Sequence, residues 1–145
     1  MWTTGVTRSD PEKVFIQVKN GYSTASLTVG QLVCLSTTAK DGITVTRPAT
    51  ANLALLKGVV KDATIAYGEY GEVQCYGYNA DALVAGGSGA TTAVVAGDKL
   101  SAKNGAFNAI HAIGTLVPGE SGVLIALDAF TTTTAAAKKV EIRCM

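Results

Sequence analysis

The segment Leu55–Tyr78, LLKGVVKDATIAYGEYGEVQCYGY, decides the fold that the sequence predicts. Its pattern predicts a strand over Leu55–Val60, a polar crossing over Lys61–Ala63, a glycine and tyrosine turn region over Tyr67–Gly71, and a second strand over Glu72–Tyr78. Polar and apolar residues alternate along the second strand, which is the period-two pattern of a half-buried strand. Glycines interrupt these β-forming residues where a sheet would bend or bulge.

The rest of the chain consists of similar short apolar runs that are separated by turn signals. Further strands are predicted at Val14–Val18, Gln31–Leu35, Ile43–Arg47, Phe107–Leu116, Gly122–Leu127 and Val140–Met145. Asn79–Thr92 and Thr131–Ala137 have the composition of loops, and Ala135–Lys139 could form one helical turn at most. No amphipathic helix is apparent, so the predicted class is all-β.

A weak internal repeat indicates how the strands are organised. Four glycine-containing pieces match in the same order, namely residues 29–33 with 96–100, the turn at 41–42 with that at 104–105, 57–60 with 113–116, and 71–75 with 121–125. We therefore expect a small antiparallel barrel or sandwich built from two similar β units, forming a single β domain over residues 14–145. Because many two-sheet folds use glycine-punctuated short strands, common architecture alone could also produce these matches.

Residues 1–13, MWTTGVTRSDPEK, lack sustained periodicity and are interpreted as an extended N-terminal arm. Terminal segments are commonly disordered when nothing holds them. Trp2, the only tryptophan, favours instead an arm that docks on a partner, because tryptophan is a preferred interface anchor.

Composition narrows the classes of partner. Hydrophobic residues make up 48% of the chain and charged residues 16%, against about 25% in typical soluble proteins. A net charge of +1 suggests neither nucleic acid nor an anionic membrane as the partner. No signal peptide and no membrane-spanning run is apparent. A surface poor in charge suits packing against another protein.

The sequence carries no recognised catalytic or metal-binding motif, so we expect neither an enzyme nor a cofactor nor a metal site. His111 is the only histidine, and it is predicted to be structural because no carboxylate or nucleophile accompanies it in a known motif. Cys34, Cys75 and Cys144 are predicted to be buried free thiols, because they are odd in number and lack CxxC spacing. One disulfide among them remains possible.

Four tyrosines fall close together in sequence and could form a stacking platform for sugars or bases. They are Tyr67, Tyr70, Tyr76 and Tyr78. Because lysine and arginine are not interleaved with them, nucleic acid is disfavoured, and tyrosines in an interface or the core are the preferred interpretation.

Several short motifs follow one another along the chain in this order: V-x-G-[QD]-x-[VL], a DG or NG turn, G-V-V, V-x-G-D-K-L, G-T-L, G-V-L-I-x-L and a terminal V-x-I-x-C strand. Together they resemble the small β-rich head decoration, or capsid cement, proteins of tailed phages. The resemblance covers Thr28–Met145. It implies a protein that binds the outside of an icosahedral shell and bridges major capsid subunits. It also implies association with copies of itself as a homotrimer, and a location on the virion after assembly in the host cytoplasm.

Members of that family have no catalytic motif, and several extend an N-terminal arm over neighbouring subunits. On this basis the candidate contact residues in the arm are Trp2, Val6 and Arg8. Tyr67 and Tyr70 are added because they lie at the tip of the predicted hairpin, which is longer in the first repeat copy than in the second. The alternatives are another virion structural part, a carbohydrate-binding β module, or a small β-barrel enzyme or assembly factor.

Overall fold

The structure is a computed structural model that describes residues 12–86, 93–111 and 123–144. Apart from one 3-10 turn at Leu53–Leu55, the regular structure of these residues is entirely β, as expected. The strands are β1 (Val14–Asn20), β2 (Leu27–Thr28), β3 (Leu32–Leu35), β4 (Thr44–Thr46), β5 (Leu56–Val60), β6 (Thr64–Ile65), β7 (Tyr70–Ala85), β8 (Lys99–Ala102), β9 (Ala109–His111), β10 (Val123–Ala126) and β11 (Ala136–Arg143).

The first half of the chain forms a closed five-stranded barrel. Its strands are ordered β1-β4-β3-β5-β7, and β7 returns to pair with β1, so the ring closes. One buried cluster fills its interior and includes Val18, Val33, Val45, Val60 and Val73. Closure leaves no unpaired sheet edge in the ring, which removes the usual site of strand-to-strand aggregation.

The second half forms another ring of the same size. Its order is β7-β11-β10-β8-β9, and β9 pairs back with β7. The two rings share β7, a 16-residue strand whose first half belongs to the first ring and whose second half belongs to the second. The prediction of two similar β units is therefore confirmed.

The two rings also have the same connectivity. Each has one parallel pair, β1 with β4 and β7 with β9, and its other pairs are antiparallel. Leu32 lies opposite Val59 in the first ring, and Lys99 lies opposite Ile125 in the second. Thus β3 corresponds to β8, which confirms the match of residues 29–33 with 96–100.

The two downstream sequence matches are wrong. Val60 pairs with Val73 in the first ring, and Ala126 pairs with Val140 in the second. The counterpart of β5 is therefore β10, and the counterpart of the first half of β7 is β11. Residues 113–116 lie outside the described residues. A glycine beside apolar residues recurs in many strands, so only cross-strand pairing can decide which copy corresponds to which.

Two other expectations about loops are also wrong. Residues 79–85, predicted as a connection, continue β7, because Ala82 and Val84 are fully buried and pair with β11. Residues 136–139, predicted as loop or helical turn, begin β11. The polar crossing over Lys61–Ala63 carries no strand, as predicted, and the short strand β6 that follows it pairs with β2. In the two wrong cases pairing with a distant strand overrides local composition.

A buried polar network supports β7 where it passes from one barrel to the other. The Gln74 amide nitrogen donates hydrogen bonds to the carbonyls of Tyr76 and Tyr78, at 3.0 and 2.9 Å. The Asn79 amide donates to the Gln74 side-chain oxygen at 2.9 Å. Between them Gly77 has φ +93°, a backbone conformation that residues with a Cβ rarely adopt. This network satisfies polar groups that would otherwise be buried without partners.

The two barrels pack side by side through a continuous apolar cluster. Leu32, Cys34 and Val59 lie in the wall of the first barrel but belong to the same buried cluster as Leu124 and Val140 of the second. Each fully buried side chain of this size contributes about 1.5–3 kcal/mol, so the contact holds the barrels together as well as filling the second one.

Candidate functional site

Tyr67 and Tyr70 lie at the end of the first barrel, Tyr67 in the segment that joins β6 to β7 and Tyr70 as the first residue of β7. Their exposed fractions are 62% and 55%. As the sequence predicted, these residues lie at the tip of a long hairpin, since β5 and β7 pair antiparallel on either side of the segment. The segment is held further by the β2–β6 pair. Two large aromatic side chains are thus presented to solvent from a backbone that is held on both sides.

Asn20 is the residue that holds this segment, and the sequence did not single it out. Its side chain is fully buried. The Asn20 amide nitrogen donates to the Ile65 carbonyl at 2.8 Å, and its side-chain oxygen accepts from the Tyr22 amide at 2.8 Å. Its backbone accepts from the Gly68 amide at 2.8 Å and donates to the Glu69 carbonyl at 2.9 Å. Asn20 therefore fixes the position of Tyr67.

Beside the tyrosines lies an open cleft of about 730 Å³, which we call the barrel-end cleft. Three parts of the chain line it: the end of β1, the β3–β4 hairpin with the loop that follows, and the β6–β7 segment. The functional groups at its wall are mainly amides, hydroxyls, two tyrosines and two cations; they belong to Lys19, Asn20, Tyr22, Ser36, Thr37, Thr38, Thr44, Thr46, Arg47, Asn52 and Tyr67.

The two cations of the barrel-end cleft lie over aromatic rings. The Arg47 guanidinium is 5.4 Å from the centre of the Tyr22 ring, and the Lys19 ammonium is 6.0 Å from that of Tyr70. Phe107 contacts Tyr22 edge-on, with ring centres 5.1 Å apart. Neither cation forms a salt bridge within the described part of the chain. These ring contacts orient the cations without neutralising them.

The side chains of Asp41 and Asn52 hold the walls of the cleft through hydrogen bonds to the backbone and are not free to bind a ligand. Asp41 accepts hydrogen bonds from the Ile43 and Thr44 amides and from the Thr44 hydroxyl. The hydroxyl bond, followed by the amide bonds, lowers the pKa of Asp41 to about 2. Asn52 accepts from the Ala49 amide at 2.6 Å and shapes the opposite wall.

The four-tyrosine platform considered from the sequence does not form as one surface at the cleft. Tyr67 lines the cleft, whereas Tyr76 and Tyr78 are half-buried along β7 and do not. The expectation that no cations are interleaved is wrong in three dimensions, because Lys13 lies 5.7 Å from the Tyr78 ring and Lys19 lies near Tyr70. These lysines come from β1 and the residue before it, which pair alongside β7.

His111 has a carboxylate neighbour that the sequence did not reveal. Its Nε2 is 3.2 Å from an Asp98 carboxylate oxygen, and the same oxygen accepts a hydrogen bond from the Val95 amide. The pairing arises because β8 and β9 are antiparallel neighbours in the second barrel. The His111 Nδ1 atom is buried without a hydrogen-bond partner in the described part of the protein.

The three cysteines are free thiols, as predicted. Strand pairing brings them to one region, since the Cys144 amide donates to the Cys75 carbonyl at 2.9 Å. Burial, with a smaller contribution from Cys144, raises the pKa of Cys34 to about 12. Burial and the neighbouring Cys75 raise that of Cys144 to about 12 as well. Protonated thiols are weak nucleophiles and weak metal ligands.

The arm candidates Trp2, Val6 and Arg8 lie outside the described residues. In the ranges that are described, no three His, Cys, Asp or Glu side chains are grouped so that they could hold a metal ion. No helix in those ranges is long and apolar enough to cross a membrane. The sequence analysis missed Lys19, Asn20, Tyr22 and Arg47 as site residues, because they come together only when β1 pairs with β4.

Comparison with known proteins adds no family assignment. No protein-family model matches the chain, and no curated protein is a significant match to its sequence.

Proposed function

We propose that this chain is a capsid decoration protein, which binds the outer surface of an icosahedral phage head and bridges major capsid subunits. The observation that carries the proposal is the pair of exposed tyrosines, Tyr67 and Tyr70, held by Asn20 at the end of a closed barrel. Tyrosine is enriched at protein interfaces, and a rigid backbone reduces the entropy lost when the surface binds.

The composition and the arm support the same function. A surface with few charges can pack against a protein shell with little desolvation of ionic groups. Many copies, each bound through a tyrosine tip and an N-terminal arm, would hold a shell by avidity even if each contact is weak. In this proposal the arm residues Trp2, Val6 and Arg8 contact a neighbouring subunit, and the protein associates as a homotrimer on the virion.

The test is co-sedimentation of the purified chain with heads of the phage that encodes it. We expect binding to expanded heads and none to unexpanded heads. The double variant Tyr67→Ala/Tyr70→Ala should reduce the apparent affinity by about a thousandfold, since two interface anchors of about 2 kcal/mol each amount to about 4 kcal/mol. Val95→Ala is the matched control, because Val95 is 56% exposed on the second barrel and away from the tip.

Three outcomes would contradict parts of the proposal. Failure to bind either kind of head would rule out the proposed capsid function. An equal loss of affinity in the tyrosine and valine variants would rule out Tyr67 and Tyr70 as the contact surface. Unchanged occupancy after deletion of residues 1–11 would remove the role of the arm.

A further inference from the structure

The barrel-end cleft has the size and the chemistry of a ligand site that capsid binding does not require. Its volume of about 730 Å³ lies within the range of roughly 300–1,000 Å³ that is typical of small-molecule sites. Its walls belong to a closed barrel and are braced by buried Asn20 and Asn52, so the cleft is formed before any ligand arrives.

The charge in the cleft is unbalanced. Lys19 and Arg47 both line it, and no carboxylate side chain does so among the described residues. The nearby Asp41 directs its oxygens to the Ile43 and Thr44 amides and the Thr44 hydroxyl. An arginine that stacks on a ring, as Arg47 does on Tyr22, keeps the edge of its guanidinium available for a carboxylate, which it can bind in a bidentate manner.

The other lining groups suit a sugar. Hydroxyl groups of serine and threonine are donors and acceptors in the same way as sugar hydroxyls, and five such residues line the β3–β4 side of the cleft. Two of these hydroxyls already have partners in the chain: Ser36 accepts from the Thr38 and Ala39 amides, and Thr44 donates to Asp41. Tyr67 stands at the rim with most of its surface exposed, where an aromatic ring can cover the apolar face of a pyranose. We propose that the barrel-end cleft binds an acidic saccharide, with a uronic acid carboxylate on Arg47 and Lys19 and a sugar ring against Tyr67.

An acidic peptide segment would satisfy the two cations but would leave the hydroxyl-rich wall without matching groups. A neutral sugar would satisfy the hydroxyls but leave both cations unpaired. A saccharide that bears a carboxylate satisfies both sets, which is why it is the ligand that the cleft favours.

The experiment is isothermal titration of the full chain with a short oligogalacturonate and with its methyl ester. The ester has the same ring stereochemistry and lacks the negative charge. We expect the acid to bind and the ester to bind at least about tenfold more weakly, because charge-assisted hydrogen bonds are the stronger kind. Binding of the acid should also weaken as salt is raised from 50 to about 300 mM.

Variants separate the site from general charge attraction. Arg47→Met should weaken binding of the acid by about tenfold or more. The affinity of Arg47→Lys should lie between that of Arg47→Met and that of the unaltered chain, because lysine keeps the positive charge but cannot bind a carboxylate in a bidentate manner. Lys99→Met is the matched control, since Lys99 is an exposed cation on the second barrel, and it should bind as the unaltered chain does. Circular dichroism and thermal unfolding would establish that each variant is folded.

Each remaining outcome overturns the proposal. Equal binding of acid and ester would show that the cations do not select the ligand. Equal effects of Arg47→Met and Lys99→Met would place binding outside the cleft. Tighter binding of a hexapeptide of aspartate and glutamate than of oligogalacturonate would identify the cleft as a peptide-docking site. Absence of binding to every probe would reject a saccharide of this class.

Discussion

Replacement of Asn20 by alanine should strongly destabilise the first barrel, although the residue lies at the end of a strand where substitutions are often tolerated. The change removes two hydrogen bonds of 2.8 Å, to the Ile65 carbonyl and from the Tyr22 amide, and a longer one of 3.4 Å to the Ala25 carbonyl. Each of the two short hydrogen bonds contributes about 1 kcal/mol, and the loss rises to about 2 kcal/mol each where the partner is left buried and unsatisfied.

The expected loss in the free energy of unfolding is therefore about 2–4 kcal/mol. With a urea dependence of about 2 kcal/mol per molar, the unfolding midpoint followed by circular dichroism should fall by roughly 1–2 M. Asn104→Ala is the matched control, because Asn104 is exposed in the turn between β8 and β9. Its midpoint should move by an amount equivalent to at most about 0.5 kcal/mol.

Hydrogen exchange gives a second, local readout of the same change. The Gly68 amide donates to the Asn20 backbone carbonyl, and the Glu69 carbonyl accepts from the Asn20 amide. If Asn20 holds the tip, Asn20→Ala should raise the exchange rate of the Gly68 amide more than those of β10 and β11. A midpoint shift no larger than that of Asn104→Ala would refute the assignment of Asn20 as the residue that anchors Tyr67.

Two further predictions concern the close approach of strands and the cysteines. Gly58→Ala should lower the free energy of unfolding by at least about 2 kcal/mol more than Gly42→Ala in urea titrations. Both glycines have positive φ, but a Cβ at Gly58 would collide with the Gln74 carbonyl, whereas one at Gly42 would meet nothing within 4 Å; equal losses would show that backbone conformation alone sets the cost. Cys34 and Cys144 should react with a disulfide reagent far more slowly in the native chain than in the unfolded chain at pH 8, because burial favours their protonated form and raises each pKa from 9.0 to about 12. Since the unfolded thiols ionise first, their contribution to stability should be complete below pH 9 and be lost as the pH rises toward about 12. Native and unfolded chains that react equally fast would contradict the burial of these thiols.

Local pattern was enough to predict most strand positions but not their partners. The apolar and polar alternation around Val73 located a strand, because side-chain direction alternates with every residue along a strand. The same pattern could not show that this strand continues to Ala85. The alanines and valines there become buried only because β11 lies alongside them.

The sequence also predicted only part of the site, because local pattern does not show which segments come together. Tyr67 and Tyr70 were found because they lie at the tip of a predicted long hairpin, and both are exposed. Arg47 and Lys19 were not found, because each is an isolated cation in its own segment. Likewise, the Asp98 carboxylate beside His111 was not found, since nothing local indicates that β9 brings the imidazole to it.

The sequence by itself determined that the chain is all-β, where most of its strands lie, and that its cysteines need not pair. These properties follow from residue type and period-two alternation, which act over a few neighbouring residues. Only the tertiary structure decided that the strands close into two rings that share β7, and that β1, the β3–β4 hairpin and the β6–β7 segment surround one cleft. Closure depends on hydrogen bonds and packing between residues far apart in the chain, and a short glycine and valine pattern fits many partners equally well.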